Sequence, residues 1–67
     1  MGMIPADSVL PPELMHAGKR REVIGWLRQA ALPARDKSKI LRSWATQTGE
    51  QLRATDYGEV EATGIDR

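Results

Sequence analysis

Apolar residues recur every three or four positions along two stretches of this chain. At about 100° per residue, Val23, Ile24, Leu27, Ala30 and Ala31 fall within one arc with Trp26 on its edge, while Arg21, Gly25 and Arg28 face away. The pattern predicts a first helix from about Lys19 to Leu32, ended by Pro33 because a residue before proline is driven out of helical geometry. A second arc holds Ile40, Leu41, Trp44, Ala45 and Thr48, opposed by Lys39, Arg42 and Thr46. It predicts a helix from Ala34 to Thr48, with Gly49 free to take a left-handed cap conformation. The connection at Leu32-Pro33 is too short for anything but a direct turn, so the two helices must be neighbours.

Outside these stretches the periodicity fades. Pro11-Pro12-Glu13 reads as a helical opening that stops or bends at Gly18, and Thr55-Asp56 as the cap of a short turn carrying Tyr57 and Val60. The fold class expected is therefore all-α: a small helical hairpin, with main helices at 19–32 and 34–48 and short flanking helical turns, three-helix-like. Residues 1–10 read as an irregular N-terminal arm, 11–61 as a single helical domain and 62–67 as a frayed tail. A pair of helices buries too little apolar surface to stand alone, so Leu14, Met15, Leu52, Tyr57 and Val60 are the candidates that close the core.

Size sharpens this picture. A chain of 67 residues buries only about 60% of its unfolded surface, a thin margin usually reinforced by disulfides, a metal or association. There is no cysteine, and His16 is the single histidine, which leaves association as the open route. No apolar run approaches the roughly 18 residues of a membrane span and no secretory pattern opens the chain, so a cytoplasmic location is expected.

Charge matters by segment. Residues 19–42 carry +6, residues 1–18 carry −2 and residues 43–67 carry −3, for a net charge of +1. Arg20 and Lys37 are out of place, because each falls inside an apolar arc. The favoured account is that their stems cover the core edge while their heads reach water. The sharper one is that these arcs meet a partner carrying acids. Asp56, Glu59 and Glu61 are candidate partners within the chain.

Catalytic chemistry is poorly provided for. Glu13 and His16 are the one suggestive pair, three apart, but a carboxylate–histidine metal site draws such residues from several helices. Gly18-Lys19 lacks the upstream glycine and the following hydroxyl of a phosphate loop, and Ser38 and Ser43 have no histidine close in sequence. No enzyme, cofactor, metal or small-molecule substrate is expected.

Two binding readings follow. The preferred one is a protein-interaction module, self-associating or docking on a larger protein, with Trp26, Arg20, Arg28 and Lys37 as contacts; tryptophan and arginine are enriched in binding hot spots. The alternative is a small nucleic-acid-binding domain resting on Arg21, Arg35, Lys39, Arg42 and Thr46. Ala30, Ala34 and Ile40 match helix-turn-helix spacing, but Gln29, Arg35 and Ser43 stand where that motif wants apolar residues.

Overall fold

The computed structural model describes residues 5–62. It is all-α among these residues, with helices α1 (Arg20–Gln29), α2 (Ala34–Thr48) and α3 (Ala54–Glu61) preceded by 3-10 turns at Ala6–Ser8 and Pro12–Leu14. α3 packs against both α1 and α2, and more extensively against each than they pack against one another. The two main helices are neighbours, as their short linker requires, but α3 is the element that joins them.

The core is built from the two arcs. Val23, Ile24 and Leu27 of α1 and Ile40, Leu41 and Trp44 of α2 are buried, with Val60 of α3 closing over them. Leu14, Met15, Leu52 and Tyr57 pack against this cluster while partly exposed. Trp44 has no exposed surface, and its indole N–H donates to the Leu14 carbonyl at 2.6 Å, which fastens the second 3-10 turn to α2.

Three boundaries differ from the pattern-based expectation. α1 stops at Gln29 rather than Leu32: Ala30 is extended (ψ 145°) and Ala31 is exposed, so neither continues the helical arc. Proline supplies no N–H, and its ring clashes with the carbonyl four residues back, which for Pro33 is that of Gln29. The break therefore falls a turn earlier than the proline itself. At the other end of the chain, the stretch read as an irregular arm places Ala6 and Leu10 in the core. The Ala6 N–H donates to Ser43 Oγ at 3.1 Å, a buried bond that also explains why a serine stands on the inner side of α2. Finally, Asp56 is not the leading cap of a turn but the third residue of a two-turn helix, where its Oδ2 accepts the Arg53 N–H at 2.9 Å. Of the tail expected at 62–67, only Ala62 lies within the described residues.

α2 is bounded as expected. It begins directly after Pro33, carries Asp36 in its first turn, and ends at Gly49 with φ 81°. The Gly49 N–H returns to the Ala45 carbonyl at 2.9 Å, and Thr48 Oγ1 donates to the Trp44 carbonyl at 2.8 Å. The Gly49 bond satisfies one of the otherwise free carbonyls of the last turn, and the Thr48 hydroxyl shares a carbonyl of the helix ladder.

Candidate functional site

The cations that look misplaced in sequence are used inside the molecule. Lys37 is 3% exposed, and its ammonium donates to the Arg28 carbonyl at 3.3 Å, in the last turn of α1. A positive charge there meets free carbonyls and the negative end of the helix dipole. Its head is thus neither carried out to water nor offered to a partner. Arg20 reaches the buried carboxylate of Asp56, Nη1 to Oδ1 at 2.8 Å, tying the start of α1 to the start of α3. One of the acids named as a possible intramolecular partner is therefore the partner of Arg20. No buried side-chain nitrogen or oxygen among the described residues lacks a hydrogen bond.

Arg28, by contrast, is exposed, and it lines a shallow groove between α1 and α3 together with Arg20, Arg21 and Glu59. Trp26 is half-buried on the other side of α1, in an open apolar groove formed with Val9, Ala30 and Leu32. The four residues first grouped as partner contacts thus separate: one is buried, one is ion-paired, and two open onto different grooves.

The second set stays together. Arg35, Lys39 and Arg42 are all exposed at positions i, i+4 and i+7 of α2, and one helical face brings them into a single groove against α3. Ser38, Ala34 and Glu61 complete its lining, and the groove encloses about 410 Å³. The Arg42 guanidinium lies 5.6 Å from the centre of the Tyr57 ring, near enough for the ring face to hold it toward α3. Ser38 Oγ donates to Glu61 Oε2 across the groove. Thr46 is exposed further along α2 and does not line the groove.

The single ion pair among the described residues is that between Arg20 and Asp56, so Arg35, Lys39 and Arg42 pair with no described carboxylate. α3 is therefore flanked by two open basic grooves, one against α1 and one against α2, each with a single α3 carboxylate at its edge. Sequence spacing shows the α2 row, but it does not show that α3 supplies the second wall or brings Glu59 and Glu61 to the two edges.

Comparison with known proteins adds nothing to this geometry. No family model, curated protein or solved structure matches the chain. Ala34, which helix-turn-helix spacing would place in the turn where glycine is usual, is instead the first residue of α2. The grooves therefore stand on their own charge and shape. His16 and Glu13 are both exposed, and no group of three or more potential metal ligands occurs among the described residues. No helix among them is long and apolar enough to cross a membrane.

Proposed function

We propose that this protein is a small non-enzymatic domain that binds the phosphate backbone of nucleic acid through the basic grooves on either side of α3. The observation carrying this reading is the convergence of Arg35, Lys39 and Arg42, exposed and without an ion pair among the described residues, in the groove between α2 and α3. Arg21 and Arg28 line the matching groove on the far side of α3. Both grooves are shallow and open, which suits a strand laid across the surface better than an enclosed small molecule. With a net charge of only +1, the whole-molecule field gives little steering, so affinity comes from contacts in the grooves. Sequence-independent binding of about 1–100 µM is expected near physiological salt.

The test is fluorescence anisotropy of labelled mixed-sequence DNA and RNA across a range of salt concentrations. Binding should fall steeply with salt. Lys39→Ala and Arg42→Ala should each weaken it on all sequences alike and lower the slope of log affinity against log salt by about one. Trp26→Ala should leave both quantities unchanged. No binding to either polymer at low salt would end this reading.

A second reading, the protein-interaction module that self-associates or docks on a larger partner, retains the support of Trp26. A half-buried indole in an apolar groove with Val9 and Leu32 is suited to taking an apolar side chain from another protein. It predicts the reverse order, with Trp26→Ala abolishing association while Lys39→Ala and Arg42→Ala leave it intact.

A further inference from the structure

The groove between α2 and α3 already holds an anion of the protein's own. Glu61 is the last residue of α3, and its carboxylate accepts the Ser38 hydroxyl bond within the groove lined by Arg35, Lys39 and Arg42. That position gains nothing from its own helix. A negative charge in a last turn opposes the helix dipole, and no basic residue in that turn of α3 offsets it. The helix is held elsewhere, by the Asp56–Arg53 and Asp56–Arg20 bonds at its start and by buried Val60. What favours the carboxylate where it lies is the groove, namely a hydroxyl donor and three nearby cations.

We infer that Arg35, Ser38, Lys39 and Arg42 form a discrete phosphate subsite, which Glu61 occupies in the free protein and which a phosphodiester group of nucleic acid takes by displacing it. The inference rests on the function proposed above and gives it a point of contact and a resident competitor. A serine hydroxyl donates equally well to carboxylate or phosphate oxygen, so the Ser38 bond passes from one to the other. Arg35, Lys39 and Arg42 form no ion pair with Glu61, and a phosphate group presents acceptors to their donors. Arg42 is already oriented by the Tyr57 ring, which reduces the ordering that binding requires. Glu61 thereby sets a threshold: an isolated weak anion does not displace it, whereas a strand that also reaches the groove between α1 and α3 does.

The deciding comparison is Glu61→Gln against Glu13→Gln, measured with labelled mixed-sequence DNA at fixed low salt. Both substitutions remove one negative charge from an exposed side chain, but only the first acts in the groove. Glu61→Gln should bind about three- to fivefold more tightly than Glu13→Gln, the scale of one exposed charge interaction. Equal affinities, with the natural protein binding, would overturn the subsite and leave the proposed function standing. If the natural protein binds neither DNA nor RNA, the proposed function fails, and an amide NMR titration with pyrophosphate decides the subsite separately. Shifts over residues 35–42 that are larger in Glu61→Gln would sustain it, and their absence would remove it.

Discussion

Lys37 is 3% exposed, and an ammonium on so buried a residue is tolerable only where something accepts its hydrogen bonds; Lys37 finds that acceptor at the C-terminal end of a neighbouring helix. The sign of the charge matters more there than the bond itself. Most of what Lys37 buries is its stem, and a neutral side chain of like length keeps that packing. Lys37→Met, which keeps most of the stem, should therefore change stability by no more than about 1 kcal/mol. Lys37→Glu buries an uncompensated negative charge against the same carbonyls and should cost about 3–5 kcal/mol, measured by urea unfolding. A chain of this length has only roughly 3–10 kcal/mol to lose, so that variant should lose a large share of its stability. Sequence pattern could not reveal this role, because it ran α1 on to Leu32 and so did not place the helix's final carbonyls beside Lys37. Arg20 was more legible, since a cluster of acids late in the chain already offered it a partner.

Among the elements, α2 is the most fully readable from sequence and the clearest to test. Proline before it and glycine after it each dictate a backbone conformation, and the structure adopts both. Gly49 has φ +81° and nothing within 4 Å of an added Cβ, so substitution there probes conformation without a clash. Gly49→Ala should cost about 1–2 kcal/mol, with a fall in thermal midpoint of roughly 4–8 °C per kcal/mol. Circular dichroism on heating reads both the loss and the unchanged helix content below the transition. α1 was less legible because the effect of Pro33 reaches back to Gln29, beyond the residue immediately before it. The opening segment was missed for a different reason. Ala6 is too small and too isolated to make a periodic signal, and its place depends on a buried bond to Ser43, 37 positions away.

Taken whole, the molecule is as compact as a chain of its length should be, with a Cα radius of gyration of 10.9 Å against about 11 Å from size scaling. The three helices and the two preceding turns enclose one core within the chain. The thermal midpoint should accordingly be the same at 10 µM and at 1 mM protein, to within about 2 °C; a rise across that hundredfold range would show self-association and favour the Trp26 groove as its seat. At this scale the row of cations on α2 was readable from spacing alone. The groove was not, because its far wall is a helix too weakly patterned to place before the fold is known.

The unequal covering of the two indoles gives the protein a pair of independent optical reporters. Trp44, sealed in the core, should emit at short wavelength and resist a dissolved neutral quencher until the chain unfolds. Trp26, half open to solvent, should emit further to the red and be quenched in the native state. One spectrum therefore separates loss of the fold from occupation of the apolar groove: the first moves both bands, and the second moves only the red one.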